Sequence, residues 1–283
     1  GLMTGVMYSL VALGFVLIFK ASGVFNFAQG AMVLFAALTL VGLMEHGMPV
    51  IVALLLVVAV MTILAFIIER FLLRHLINQE DIILFMATIG LTFLIQGFGE
   101  MVWGSNVKPL DVGIPSESFE VGGILFNEFD LYAAGSGAVL VAVLAVFFHY
   151  TRIGRALRAV ADDHQAAMAV GIPLKTIWII VWSVAGFVGL VAGVMWGAKS
   201  GVQFSLSLIA LKALPVLILG GFTSVPGAIV GGLIIGVGEK IAEIYWGPLV
   251  GGAIENWFAY MLALAFLLFR PQGLFGERII ERV

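Results

Sequence analysis

Residues 50–68 read VIVALLLVVAVMTILAFII and contain no charged side chain. A helix crosses the hydrocarbon core of a bilayer with about 20 mostly apolar residues, so this run is long enough for one membrane span. Only Thr62 interrupts the apolar residues. The run therefore predicts a transmembrane helix, and with it an integral membrane protein.

The sequence contains eight further apolar runs, at 1–19, 24–44, 82–103, 131–150, 177–198, 208–222, 225–246 and 254–269. The seventh and the last of the nine runs are short, and the seventh and eighth form one glycine-rich stretch broken near Pro226. We therefore predict eight or nine spans in an all-α polytopic helical bundle, which forms a single transmembrane domain over 1–283.

The composition agrees with a membrane protein, because 62% of the residues are hydrophobic and only 11% are charged. Soluble domains contain roughly 45–50% apolar and about 25% charged residues. The chain has no cysteine and four scattered histidines, which excludes disulfides and thiolate metal sites and argues against any metal site. The sequence shows no Ser/His/Asp arrangement and no pair of catalytic carboxylates. We therefore predict no enzymatic chemistry, no metal, no cofactor and no nucleic-acid partner.

Basic residues predict the orientation, because Lys and Arg concentrate in cytoplasmic loops. With nine spans and a cytoplasmic C-terminus, ten of the 14 basic residues fall on the cytoplasmic side. They are Lys20, Arg70, Arg74, Arg152, Arg155, Arg158, Lys175, Arg270, Arg278 and Arg282. The loop 104–130 has one lysine and is rich in acidic residues. This loop and the start of the chain are therefore predicted outside, and segment 151–176 inside.

The joins between spans carry a faint internal similarity. Ser22-Gly23-Val24 is matched by Ser200-Gly201-Val202, 178 positions later. The same shift lands the first three spans close to the sixth, seventh and eighth, whose predicted orientation is opposite. Transporters often contain such inverted repeats, and chance similarity between glycine-rich apolar runs is the alternative.

One polar stretch, RIGRALRAVADDHQAAMAVGIPLK at Arg152–Lys175, interrupts the apolar runs. It cannot lie in hydrocarbon, because four cations would be too costly there. Small and apolar residues recur at helical spacing up to Gly171, and Pro173 follows, which predicts one short helix that ends there. This helix either docks its small-residue face into a groove of another protein or lies on anionic headgroups.

The residues 165–171, Gln-Ala-Ala-x-x-x-Gly, resemble the EAA-type cytoplasmic loop of ABC importer permeases. The wider run 158–172 is similar to the branched-chain amino acid permease family in particular. Three further blocks carry the same likeness: Gly23-Val24-x-Asn26-Phe27-Ala28-Gln29-Gly30, Gly220-Gly221-x-x-Ser224-x-Pro226-Gly227-Ala228 and Arg270-Pro271-Gln272-Gly273-Leu274. The first block resembles the H-type permease rather than its M-type partner. Gln165 replaces the usual acid of the EAA pattern, and Gln29 stands where many relatives have histidine.

The resemblance implies a permease subunit of an ABC importer in the bacterial inner membrane. Its expected partners are an M-type permease, two cytoplasmic ATP-binding cassette subunits and an extracytoplasmic substrate-binding protein. The expected substrates are branched-chain or other amino acids, with urea or short amides as an alternative. The coupling loop 151–176 is expected to contact the ATPases through Arg155, Arg158, Asp162, Asp163, Gln165, Ala166, Ala167 and Gly171. The chain has no Gly-x-x-x-x-Gly-Lys-Ser/Thr loop, so ATP hydrolysis is expected on separate subunits.

Four amide side chains are candidates for the substrate path: Asn26, Gln29, Gln96 and Gln203. Asn26 and Gln29 lie three apart, which predicts one face at the cytoplasmic start of the second span. As buried polar groups they need hydrogen-bond partners, so a structural bond between helices is the alternative.

A proton- or sodium-coupled carrier is the competing function, since it would need no ATPase. Such carriers place acids or histidine near mid-membrane. Glu239, Glu243 and Glu255 are predicted at the outer ends of helices, where solvent or a binding protein would satisfy them. We therefore expect no carboxylate at a span centre, which favours the ATP-driven importer.

The predicted orientation can be tested with inserted tags. A tag after Glu117 should be reachable from outside the cell membrane, and a tag after His164 only from the cytoplasm, because the basic residues flank the second site. Accessibility of both tags from the same side would contradict the orientation and the docking role together.

Overall fold

The structure, a computed structural model, describes residues 1–76 and 79–276. Its helices are α1 (Leu2–Ser22), α2 (Gln29–Glu45), α3 (Val50–Phe71), α4 (Asp81–Trp103), α5 (Glu128–Tyr150), α6 (Arg152–Asp162), α7 (His164–Ala169), α8 (Leu174–Ser200), α9 (Ile209–Gly220), α10 (Val225–Val250) and α11 (Glu255–Phe269). Short 3₁₀ helices occupy Leu73–His75 and Phe204–Leu208. Arg278 and Arg282, predicted on the cytoplasmic side, lie outside the described residues.

The apolar helices confirm the predicted all-α membrane bundle. Within the described residues, six helices are long and apolar enough to cross a membrane, namely α1, α3, α4, α5, α8 and α10. Three shorter apolar segments correspond to the other predicted spans: Gln29–Glu45, Phe204–Gly220 and Trp257–Phe269. The count of eight or nine spans stays a prediction.

The predicted outer loop contains a small β-hairpin that the sequence did not specify. Strand β1 (Ser118–Val121) pairs antiparallel with β2 (Ile124–Asn127). Gly122 and Gly123 form the two-residue turn with φ of +63° and +83°. Positive φ at both central residues is what a type I′ hairpin turn requires, and glycine adopts it without steric cost.

The start of the second predicted span is displaced. Residues 24–28 are not helical, and α2 begins only at Gln29. The Asn26 side chain lies in this segment, where its Oδ1 accepts a hydrogen bond from the backbone N–H of Ala28 at 3.1 Å. An asparagine that bonds its own local backbone competes with helix formation, which explains the late start.

The described residues group into two compact units. Unit 1 contains Gly1–Val16, Ile114–Val141 and the described residues from Ala210 onward. Unit 2 contains the described residues of Leu17–Gly113 together with Ala142–Ile209. A single permease domain over 1–283 remains a prediction.

The structure reproduces the internal similarity at the level of hydrogen bonds. The Ser22 hydroxyl donates to the carbonyl of Ile18 at 2.7 Å, and the Ser200 hydroxyl donates to that of Trp196 at 2.8 Å. Gly23 and Gly201 then end their helices with φ of +66° and +80°. The two joins are therefore equivalent in backbone as well as in sequence, and opposite orientation of the repeats stays a prediction.

In each half of the predicted repeat, the first helix belongs to the unit that contains the rest of the other half. Most of α1 belongs to unit 1 together with α9, α10 and α11. Helix α8 belongs to unit 2 together with α2, α3 and α4. The repeat and the compact units are thus different divisions of the chain, which sequence similarity alone does not show.

Glycines let α10 approach α1 closely within unit 1. A Cβ atom at Gly232 would lie 2.1 Å from the Ser9 Oγ, and one at Gly236 would lie 2.4 Å from the Gly5 Cα. Real Cβ atoms do not approach other atoms so closely, so only glycine fits. Small residues at such spacing commonly let membrane helices pack with their backbones in contact.

Gly236→Leu should therefore lower the thermal unfolding temperature of the purified chain in detergent. Overpacking of this kind costs about 1–3 kcal/mol. Gly97→Leu is the matched control, because nothing lies within 4 Å of a Cβ built there. Equal unfolding temperatures for the two variants would contradict the close approach of α1 and α10.

Candidate functional site

The predicted coupling segment is folded as two helices, and the prediction of one helix is wrong. Asp163 adopts an extended conformation between α6 and α7, with φ −156° and ψ 111°. Its Oδ1 accepts hydrogen bonds from the backbone N–H groups of Gln165 at 2.8 Å and Ala166 at 2.9 Å. Aspartate at this position is a strong N-cap, so the side chain that starts α7 also interrupts α6.

Two arginines of α6 bind the end of α5. Arg158 donates from Nη1 to the carbonyl of Phe148 at 2.7 Å and from Nη2 to that of His149 at 3.3 Å. Arg155 donates from Nη1 to the carbonyl of Tyr150 at 3.4 Å. Cations near a helix C-terminus satisfy its unpaired carbonyls and interact favourably with its dipole. Both arginines therefore position α6 on α5.

The exposed residues of α7 and the residue that follows it form a small surface, which we call the α7 face and define as Gln165, Ala166, Met168, Ala169 and Val170. Met168 is 48% exposed and Val170 is 76% exposed. Ala167, predicted to contact an ATPase, is only 3% exposed and packs inside the chain. Asp162 is exposed beside the break between α6 and α7. The surface that a partner could reach therefore contains Ala166 but not Ala167.

Gly171 ends α7 in the left-handed conformation, with φ +84°. Its N–H donates to the carbonyl of Met168 at 3.0 Å, and the N–H of Ile172 donates to that of Ala167 at 3.0 Å. These bonds satisfy carbonyls that the end of a helix leaves unpaired. The segment is thus capped at both ends, and α6 and α7 both pack against α8.

The candidate path residues Asn26 and Gln29 lie together in unit 2. Both side chains are fully buried. The Asn26 Nδ2 donates to the Gln29 Oε1 at 3.4 Å, and the Gln29 Nε2 donates to the carbonyl of Ala185 in α8 at 3.2 Å. Asn26 precedes α2, so the predicted shared helical face is wrong. Their observed partners provide a structural role, and a place on the substrate path stays a prediction.

Gln96 and Gln203 occupy other positions. Gln96 is buried in α4. Gln203 is half-buried and extended, with φ −149° and ψ 167°, just before the 3₁₀ helix Phe204–Leu208. Among the hydrogen bonds of the described residues, only the bond between Asn26 and Gln29 joins two of these four side chains.

Sequence reasoning missed an ion pair inside the membrane segments. Lys212 of α9 lies 3.0 Å from the Glu239 Oε1 of α10, and the Tyr8 hydroxyl donates to the Glu239 Oε2 at 3.0 Å. Because α10 continues to Val250, Glu239 lies well inside it. The prediction that Glu239 lies at the end of its helix is therefore wrong, while the absence of a carboxylate at a span centre stays a prediction. A charged residue far from both ends of an apolar run was the signal that could have found this pair.

Comparison with known proteins extends the sequence resemblance to the whole chain. The model of the family described as branched-chain amino acid transport system / permease component matches residues 1–270. The high-affinity branched-chain amino acid transport system permease protein LivH of Escherichia coli K12 is 27% identical over 310 aligned residues, which cover 100% of this chain and 96% of that protein. The corresponding protein BraD of Pseudomonas aeruginosa is also 27% identical, with the same coverage of both chains.

A solved structure supports the architecture. The chain resembles a chain of PsaBC from Streptococcus pneumoniae, solved in complex with a Fab, with a TM-score of 0.52 and 15% identity. The alignment covers 95% of this chain and 88% of that chain. At this identity the likeness concerns the fold alone. The family match over nearly the full length, together with the apolar helices, shows that this multi-pass membrane protein belongs to the branched-chain amino acid transport system permease family.

Proposed function

We propose that the chain is the H-type permease subunit of an ABC importer, which moves branched-chain or other amino acids inward using ATP hydrolysed by separate subunits. The observation that carries the proposal is the α7 face. Helix α7 is short and capped at both ends, its Ala167 is packed inside the chain, and the α7 face is exposed. Family membership supports the same role for this segment.

The packing of α6 and α7 supports a mechanical link to the membrane helices. Leu157 and Val160 of α6 are buried, as is Ala167 of α7. Arg158 holds α6 to the last turn of α5, and both short helices pack against α8. Because packed elements move as rigid bodies, force applied to the α7 face by closing ATPases would be passed to α5 and α8.

An amino acid substrate is supported by the relatives, since LivH and BraD are named for branched-chain amino acid transport. Urea or a short amide remains the alternative substrate. The proposed partners are an M-type permease, two cytoplasmic ATPases and an extracytoplasmic binding protein. The C-terminus is proposed to be cytoplasmic.

One feature of the structure favours the alternative function, a proton- or sodium-coupled carrier. Glu239 is an acidic residue inside a membrane segment, and such residues are common in coupled carriers.

Replacing the P-loop lysine of a co-expressed ATPase distinguishes the ATP-driven importer from the coupled carrier. We expect uptake to be abolished, because hydrolysis drives transport. Uptake that continues on an ion gradient would establish the carrier instead.

Ala166→Arg tests the α7 face directly. The added side chain should overfill a close contact with an ATPase and weaken association by about 1–3 kcal/mol, by analogy with overpacked cores. Insertion into the membrane should be normal, because Ala166 is exposed outside the spans. Co-purification of the subunits and uptake into vesicles measure the effect. Ser116→Arg, which adds the same charge to the exposed outer loop, is the control. Normal assembly and uptake in Ala166→Arg would favour headgroup binding by this helix.

Asp163→Ala tests the cap that starts α7. Loss of an N-cap costs about 0.5–2 kcal/mol, so α7 should fray and the rate of ATP-driven uptake should fall. Asp163→Asn is the matched control, because asparagine caps as well as aspartate and only the charge is lost. If Asp163→Asn were as defective as Asp163→Ala, the carboxylate charge rather than the cap would be required.

A further inference from the structure

Three polar side chains from three helices of unit 1 meet at one point. The Lys212 Nζ of α9 and the Tyr8 hydroxyl of α1 each lie 3.0 Å from a different oxygen of the Glu239 carboxylate in α10. The Lys212 Nζ also donates to the backbone carbonyl of Glu255 at 2.7 Å. We call Tyr8, Lys212 and Glu239 the polar triad.

The two charged members of the polar triad lie within apolar segments, beside the first residue of α11. Lys212 is eight residues from either end of the segment Phe204–Gly220. Glu239 follows the first residue of α10 by 14 positions and precedes the last by 11. Tyr245 and Trp246 are 71% and 52% exposed, and tyrosine and tryptophan are enriched at the membrane interface. Glu239 lies six residues before Tyr245 in the same helix. Ionisable residues inside membrane segments are expensive, and they typically mark substrate or ion pathways.

The two charged partners differ in access. The Glu239 side chain is 1% exposed, and each of its oxygens already accepts a hydrogen bond. The Lys212 side chain is 23% exposed, and only two of the three N–H donors of an ammonium are needed for its observed bonds. An incoming anionic group can therefore reach Lys212 first.

The surroundings hold the polar triad in place. Glu243 accepts hydrogen bonds from the backbone N–H groups of Ala253 at 3.1 Å and Glu255 at 3.2 Å. The Lys240 ammonium donates to the Glu255 side chain. These bonds fix the start of α11, whose carbonyl faces Lys212. Fixed partners of this kind pre-organise a binding group and reduce the cost of binding.

We propose that Lys212 and Glu239 bind the charged groups of a zwitterionic amino acid during transport, the carboxylate at Lys212 and the ammonium at Glu239. Lys212 and Glu239 together carry no net charge, and neither does a zwitterionic substrate. The two side chains can therefore exchange their bond to each other for bonds to the substrate without adding net charge to the membrane. The predicted orientation places Tyr8 and the start of α11 towards the outside, where the substrate would arrive. The inference rests on the proposed function.

The test is a double variant, Lys212→Met with Glu239→Gln, in the complete transporter with its partner subunits. Single substitutions would leave one buried charge unpaired and could prevent folding, whereas a buried ion pair can be replaced as a whole at little cost. We expect normal insertion and co-purification. We also expect uptake of L-leucine into vesicles to fall about tenfold or more, the effect of losing a hydrogen bond to a charged group.

Lys108→Met with Glu45→Gln is the matched control, because it removes an ion pair of unit 2 outside the polar triad. Its leucine uptake should equal that of the unmodified chain. Unchanged uptake in the Lys212/Glu239 variant would overturn the inference, and so would loss of assembly, since the pair would then only hold helices together.

The unmodified chain, measured in the same vesicles, separates this inference from the proposed function. Uptake of leucine that needs neither ATP nor an intact ATPase would contradict the importer, and the inference with it. If the unmodified chain imports leucine with ATP and the Lys212/Glu239 variant does so equally well, the importer stands and only the role of the pair fails.

Discussion

Every backbone N–H and C=O group inside a bilayer must be paired within the protein, and this constraint shapes the whole chain. The apolar segments satisfy it as helices, and the helix breaks satisfy it locally. At Ser22 and Ser200 a hydroxyl binds back to its own helix, and the following glycine ends the helix with a positive φ. At both joins the glycine N–H also donates to its own helix, to the carbonyl of Phe19 and of Gly197.

Two sets of polar side chains inside the membrane segments obey the same constraint. Asn26 and Gln29 bind each other and the backbone, and Glu239 binds Lys212 and Tyr8. The two sets differ in kind, because the first is neutral and the second is ionic. Neutral amides fix a helix join at moderate cost, whereas an ion pair costs far more to bury and so calls for a function. We therefore propose substrate contacts for Lys212 and Glu239 rather than for the two amides.

The polar segment 151–176 shows how charge and structure combine in a part of the chain with many charged residues. Arg155 and Arg158 bind the carbonyls at the end of α5, and Asp163 caps α7. These three charged groups therefore hold the segment together, while the α7 face stays exposed. Because the α7 face lies on a capped helix, the proposed contact with an ATPase would displace it as one piece.

The membrane class, the positions of most helices and the polar segment 151–176 can be predicted from the sequence, because these depend on local composition and on capping residues close in the chain. Which residues meet depends on the tertiary structure. The break at Asp163 was readable in principle from its capping chemistry, but the inward turn of Ala167 depends on packing. The pairing of Lys212 with Glu239, 27 residues apart, and with Tyr8, 231 residues from Glu239, depends on how α1, α9 and α10 assemble. No local pattern encodes such contacts, since they arise only when distant helices bury their surfaces together.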